Sequence, residues 1–555
     1  MKKRIGKITF LMVLSLMLVL AGCSSKTSNE EGGKKNKEGL TELTLFSADP
    51  HPQWDDMNSP VGKVVKEKTG VTVKPEFDVN GGTQKIALMV ASGEYPDLIW
   101  PKGGAGTLVE AGALIDLTDL IEEHAPNLKK IYGDYMSRLK WSKDDESIYI
   151  LPTSPVDTQY LTPSHGVGLQ NDVVKALGYP KIETLKDFEN AIKEYKEKHP
   201  TINGQPTLGL SLLADDWRIM ISTTNPAFWS TGASDDGEYY VDPETHEAIM
   251  HYKRPEEKEY FRWLNHMNDI GLLDPESFVQ KYDQYLAKLS SGRVLGIIDD
   301  EWQFAEAQRS MKEQGMHERM YGLYPATLEK GMKHANFQDT GYLAGWGIGI
   351  TKDAEDPVAA IKFLDYLASE EGQILQNWGI EGEHYDLIDG KRVIPEEEMK
   401  VRNTDANYVK KTGIGVLKGF APSYGDGVKD DTGQTYTIAS EDQIKEAYTD
   451  VEKEVLKNYG VEMWKDLYPT KDEFPVKPWG VAFNIQVPND SELALIEQKA
   501  MDIVKKRIPD AILADPDEFD KIYDTFLKEL DKAGVEKAEK ERTKLIQERV
   551  KLWEK

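Results

Sequence analysis

TELTLFSADPHPQWDDMNSPVGKVVKEKTGVTVKPEFDVNGGTQKIALMVASGEYPDLIW, residues 41–100, decides the fold. Residues 41–48 alternate and read as an edge or near-edge strand. Pro60–Thr69 reads as a short helix stopped by Gly70. VTVKPEF, 71–77, is the next strand, and Gly82–Ser92 is a helix ended near Gly93. A turn at Pro96 then leads into a short apolar strand ending at Trp100. Strand, helix, strand, helix, strand is the doubly wound α/β pattern, with crossovers long enough for parallel pairing.

A second α/β unit follows a Pro/Ser/Thr-rich crossing, LPTSPVDT (151–158). Before it, short apolar pieces Ala113–Leu117 and Ile148–Leu151 flank a predicted helix, Leu120–Leu139. The second unit is marked by helix Leu185–Lys198, strand Thr207–Leu213, helix Glu256–Ile270 and strand Val294–Ile298. Residues 237–252 read as a hairpin turning at DPET. GYLAGWGIGI, 341–350, suits a strand passing back through a hinge, and Asp356–Ser369 is an amphipathic helix. From Glu441 onward the chain is mainly helical, with a long helical segment from Asp515 or Asp517 broken at Gly534. The expected organisation is lobe 1 over 41–155, lobe 2 over 156–335, hinge return and lobe 1 again over 336–390, and mainly lobe 2 over 391–555. Ligands of open α/β sheets sit at the carboxyl ends of strands, which here means the cleft between lobes.

The chain begins with Lys2, Lys3, Arg4 and Lys7, then an apolar stretch Ile8–Leu20, then Ala21, Gly22 and Cys23. A basic end, a short apolar core and small residues make an export signal. Those 13 residues span ~20 Å as a helix, short of a ~30 Å bilayer core. Leu20-Ala21-Gly22-Cys23 resembles the lipobox of bacterial lipoproteins, which implies a signal peptide over 1–22 and a diacylated Cys23 as mature N-terminus. Two or more acyl chains make a stable anchor where one does not. Residues 24–39 hold no aliphatic or aromatic side chain, so 23–40 is expected to be an acylated, flexible tether.

The net charge of −27 becomes −31 without residues 1–22. Such charge argues against nucleic acid as a partner. Cys23 is the only cysteine of 555 residues, so the folded body has no disulfide and relies on its core. A chain of this length fills at least two lobes.

GEYPDLIW (93–100), GLLDPESF (271–278), LASEEGQILQNWGIEGEHY (367–385) and FDKIYDTFLKELDKAGVEKAEKERTKL (519–545) carry a likeness. The chain resembles the extracellular solute-binding proteins of sugar ABC transporters, more narrowly the large lipoprotein subgroup that includes alginate-oligosaccharide-binding proteins. The resemblance implies a two-lobed, hinge-bending, periplasmic-binding-protein-like fold of type II. It implies capture of an oligosaccharide without chemistry and delivery to ABC permease subunits whose ATPase is a separate protein. Several relatives hold calcium in an acidic loop; here that place reads HPTINGQPTLG, 199–209, with Asn203 and no carboxylate. A hard cation needs several oxygens, so no metal is expected, and no cofactor. The protein is expected to be a monomer at the outer face of a Gram-positive cell membrane, with xylan-derived, pectin-derived or uronate-bearing oligomers as open ligand classes.

Sugars present flat C–H faces to aromatic rings and hydroxyls to polar side chains. Of 12 tryptophans, context selects five. Trp302 follows a strand end in GIIDDEWQF, with Asp300 and Gln303 spaced as a capping box and Asp299 beside them. Trp100 precedes Lys102 and two glycines; Trp346 sits between Gly345 and Gly347; Trp378 lies in NWGIEGEHY; Trp229 follows a polar loop. Arg218 in DDWRIM offers a guanidinium fork for a carboxylate, competing with a salt bridge to Asp215 or Asp216.

The alternative reading is a secreted cell-surface glycoside hydrolase acting on plant polysaccharide fragments, which also needs aromatics and paired acids. The clusters DDEW and SDDGEY have cap and turn explanations. HEAIMH (246–251) spaces its histidines by five rather than four, and no nucleophile elbow or phosphate loop occurs. The expectation is a binding protein, not an enzyme.

Overall fold

The computed structural model describes residues 34–78, 83–405 and 407–554. Nine strands build its two sheets: β1 (Thr41–Ser47), β2 (Val71–Phe77), β3 (Leu98–Trp100), β4 (Leu151–Pro152), β5 (His165–Gln170), β6 (Leu208–Ser211), β7 (Val294–Asp300), β8 (Tyr321–Tyr324) and β9 (Gly347–Ile350). Lobe 1 holds the order β2-β1-β3-β9-β4, with β2, β1 and β3 parallel and β9 antiparallel to β3. Lobe 2 holds β8-β5-β7-β6, with β7 parallel to β6 and antiparallel to β5. The expected two-lobed α/β fold is the one adopted.

Local chemistry sets the elements. The helix Pro60–Thr69 starts with Ser59 accepting from Gly62 N and with proline at its first position. It ends at Gly70, whose φ of 69° is the left-handed cap that glycine fills without strain. Thr184 and Asp187 form a reciprocal capping box on Leu185–Lys198. Asn203 and Gly204, both at positive φ, close a two-residue hairpin between Thr201–Ile202 and Gln205–Pro206.

Each sheet is covered on both faces. Leu43 and Leu45 of β1 enter one lobe 1 core with Ile361 and Leu364, while Phe46 enters another with Ile99 and Leu108. In lobe 2, Leu295 and Ile298 pack with Phe188 and Phe261, whereas Val294 and Ile297 pack with Tyr285 and Phe304. With a core on each side, β7 is buried along nearly its whole length.

The chain leaves lobe 1 after Pro152, enters lobe 2 at His165, leaves it after Tyr324 and returns at Gly347. Pro152 lies opposite Gly347, where a Cβ would come within 2.0 Å of Leu151 O, so only glycine fits. His165 lies opposite Asp300. The crossings thus join the lobes at the edges where β1, β3 and β7 end, and those ends face the interlobe cleft.

Three expectations change. The predicted helix Leu120–Leu139 is split into Thr118–His124 and Pro126–Tyr132, then a 3-10 stretch Gly133–Leu139, because Pro126 and Gly133 interrupt it. Residues 391–437 belong to lobe 1: Tyr408, Ile414, Leu417 and Phe420 enter its core, and Ser423–Tyr424 pairs with Pro155–Val156. The last seven residues assigned to the tether are fastened down. Lys35 bridges Thr41, Asn36 Oδ1 accepts from Glu38 N and Leu40 N, and Lys34 pairs with Glu355. The signal peptide, Cys23 and the rest of the tether lie outside the described residues.

Candidate functional site

On lobe 1, β1 and β3 end side by side, with Ser47 opposite Trp100. Asp49, just beyond β1, accepts from Trp100 Nε1 at 3.1 Å and from Lys102 Nζ at 2.6 Å. Lys102 turns the chain at a φ of 51°, a region that residues other than glycine rarely occupy. Its ammonium lies 5.9 Å from the Trp346 ring, which lies 5.8 Å from Phe483. Trp100, Lys102 and Trp346 are therefore brought together, with Asp49 tying Trp100 to Lys102 and Lys102 reaching Trp346. His51, Trp54 and Phe77 add an aromatic group at the same ends of β1 and β2, with centroids 5.4–6.0 Å apart.

Phe483 is held by a buried ion pair behind it. Asp236 accepts from Lys477 Nζ at 2.8 Å, Trp479 Nε1 at 3.2 Å and Ala482 N at 2.8 Å. Both partners of the Lys477–Asp236 pair are almost fully buried.

On lobe 2, Trp302 stands in the first turn of the helix Glu301–Glu313 and is 51% exposed. Trp217, in the loop after β6, is 44% exposed and lies nearly parallel to it, centroids 6.1 Å apart and planes 9° apart. Trp302 Nε1 donates to Asp300 Oδ2 at 3.0 Å. This pair of open, parallel indoles beside the Asp300 carboxyl offers flat faces for C–H stacking and oxygen at the rim for hydroxyls.

Strand parity separates the two acids of β7. Asp299 shares the face of Ile297 and is buried, accepting from Tyr285 Oη, Gln303 Nε2 and Asp300 N. Asp300 shares the other face and reaches His165 Nδ1 at 3.9 Å. Burial pushes Asp299 up to about 7. Burial, with the Asp299 carboxylate adding to it, pushes Asp300 up to about 8. Burial also holds His165 down to about 4 and His334 well below the usual histidine range. This floor is polar, and burial disfavours charge on all four of these groups.

Several expected site residues stand elsewhere. Asp299 has its oxygens engaged beneath the strand, so Asp300 is the acid at the cleft. The expected cap is absent: Asp300 makes no side-chain cap bond, and Gln303 turns to Asp299. Trp229 is buried in the lobe 2 core, stacked on His334 at 4.5 Å. Trp378 is 7% exposed, its Nε1 donates to Thr435 O and Tyr436 O, and Arg392 covers its ring, so it packs inside lobe 1. Arg218 pairs with Asp216 and lies against the Trp217 and Tyr282 rings, propping the platform instead of extending a free fork. Trp217, Asp49, Asp300 and Phe483 complete the site. For Asp49 and Trp217 the sequence signal was a polar or aromatic residue just after a strand's carboxyl end.

A family model described as bacterial extracellular solute-binding protein matches residues 63–377. The chain belongs to that family. This solute-binding protein is 26% identical over 406 residues to Lipoprotein LipO of Bacillus subtilis, covering 70% of this chain and 76% of LipO. It is 24% identical over 308 residues to the fructooligosaccharide ABC transporter substrate-binding protein FusA of Streptococcus pneumoniae, covering 52% of this chain and 56% of FusA. The fold matches the structure of alginate-binding protein AlgQ2 without calcium ion at a TM-score of 0.60 and 18% identity, over 93% of this chain and 98% of that one. The type II two-lobed fold implied by the resemblance is thereby borne out.

Proposed function

We propose that this solute-binding protein captures an oligosaccharide between its lobes and delivers it intact to an ABC importer, from a lipid anchor at Cys23 on the outer face of the cell membrane. The observation that carries this reading is the open, parallel Trp217–Trp302 pair beside Asp300 at a strand end of lobe 2, matched by the Asp49–Trp100–Lys102–Trp346 group at the strand ends of lobe 1. One lobe stacks the sugar first; closure brings the second set of rings and hydroxyl partners onto it. A ligand shifts the lobes toward closure only by binding the closed form more tightly. The names of FusA and LipO support a sugar cargo and a lipid anchor. A Gram-positive source and a monomer fit the same reading. The adjacent acids of β7 point to opposite faces, so Asp299 and Asp300 do not flank one glycosidic bond as a hydrolytic pair.

The deciding experiment is a thermal-shift screen over xylan-derived, pectin-derived, fructan and uronate-bearing oligosaccharides. Calorimetry and product chromatography follow on each hit. Binding with the sugar recovered unchanged supports the reading; cleavage, or no hit across all classes, refutes it.

A further inference from the structure

Gly345, just before Trp346, and Asn484, just after Phe483, also border a cavity of about 540 Å³. That volume is within the ~300–1,000 Å³ typical of small-molecule sites. Its lining includes none of Trp100, Lys102, Trp217, Trp302, Trp346 or Asp300. One wall comes from lobe 1, over Arg138–Lys143, and the other from the C-terminal helices Glu492–Leu513 and Val535–Trp553.

Two arginines lie against one indole there. The guanidinium carbons of Arg138 and Arg549 lie 4.6 and 4.9 Å from the centroid of the Trp553 ring. Arg138 donates through Nη1 to Thr340 O and Tyr342 O. Arg549 donates through Nη1 to Trp479 O, Val481 O and Asn484 Oδ1. Every one of these acceptors is neutral. Among the described residues no hydrogen bond is found for Nε or Nη2 of either arginine. Neighbouring arginines behave differently: Arg542 pairs with Glu497 and Arg507 with Glu529. Burial, with Arg542 and Arg138 nearby, holds Arg549 down to about 9 against a smaller opposing pull from Asp236, which is itself paired with Lys477.

We propose that this cavity is a second ligand site, separate from the aromatic cleft, that takes a small monocarboxylate with an apolar or aromatic body. The carboxylate lies on the free donors of Arg138 and Arg549, a match for a guanidinium fork. The body lies against Leu493, Ile496, Leu545 and Leu552, which line the same space. The charge of the lining selects the class. Five cations and three carboxylates border the cavity; with Lys537 paired to Glu492 and Lys140 to Glu146, three cations face Glu541 and Glu548, so one negative charge is accepted and the two glutamates oppose a more highly charged anion. Because both lobes supply walls, occupancy here changes when the lobes move, which couples this site to the cleft.

The test titrates the purified protein with benzoate, with benzyl alcohol and inorganic phosphate as comparators, by calorimetry. Benzoate is expected to bind one to one, and both comparators at least about tenfold more weakly. Arg549→Met should weaken benzoate at least about tenfold. Leu545→Trp, which fills the cavity and leaves both arginines in place, should do the same and decides the matter if Arg549→Met fails to fold. No benzoate binding, equal binding of benzyl alcohol, or indifference to Leu545→Trp overturns the proposal. No sugar is present, so the outcome is independent of what the cleft binds.

Discussion

Replacing Trp302 by alanine separates ligand binding from folding. An aromatic side chain buries up to ~250 Å². With 51% of Trp302 exposed, about 100 Å² remains for a sugar to cover, or about 2.5 kcal/mol at ~25 cal/mol per Å². A sugar covering one face of the ring secures roughly half of that, so affinity should fall by about 10-fold. The folding cost is small, because the ring's ties are one hydrogen bond to Asp300 and the open face toward Trp217; about 1 kcal/mol or less is expected, and a melting shift of no more than about 3 °C. Calorimetry with the best oligosaccharide from the screen, beside thermal melting, reads both quantities. Trp302→Phe keeps a ring and should recover much of the affinity. Unchanged affinity in Trp302→Ala, or a large loss of stability, would show that the exposed indole pair is not the sugar platform.

Asp300→Asn addresses the raised carboxyl. The native state keeps a proton that the unfolded chain has lost between about pH 4 and the native value of about 8. Stability of the wild type should therefore fall as pH rises through that window and stay at its lower level above it. The side chain is 29% exposed, so solvent trims the effect to ~1–3 kcal/mol; the asparagine variant should show a flatter melting profile and melt higher at pH 8, and a parallel profile contradicts this. Lys477→Met leaves Asp236 buried without its cation, so unfolding in denaturant should show a loss of ~3–5 kcal/mol; a loss below ~1 kcal/mol would mean the pair does not hold the 477–483 segment. Cys23→Ala should abolish incorporation of labelled fatty acid and release the protein into the medium; persistent membrane retention counts against the anchor.

Much of the architecture was legible because period-2 and helical spacings are local. The 41–100 stretch, the β7 strand and the Leu185–Lys198 helix follow directly from side-chain order. Residues 391–437 were not, since their membership of lobe 1 depends on long-range packing of Tyr408, Ile414, Leu417 and Phe420 onto its core. The site shows the same division. Trp100, Lys102, Trp346 and Trp302 follow strand ends or border the hinge, where position along the chain reveals position in space. Trp229 and Trp378 also stand in loop-like sequence, yet their burial is decided by partners far away, His334 and Tyr436. Asp299 and Asp300 differ by one step along β7, and only the identity of what covers each face, Tyr285 on one side and His165 on the other, tells which acid meets solvent.

The N-terminal segment is stitched to the outset of β1, at the margin of lobe 1 farthest from the rings. Under the anchoring proposed above, a pull from Cys23 would therefore enter the folded body through lobe 1 and reach lobe 2 only across the segments that join the two.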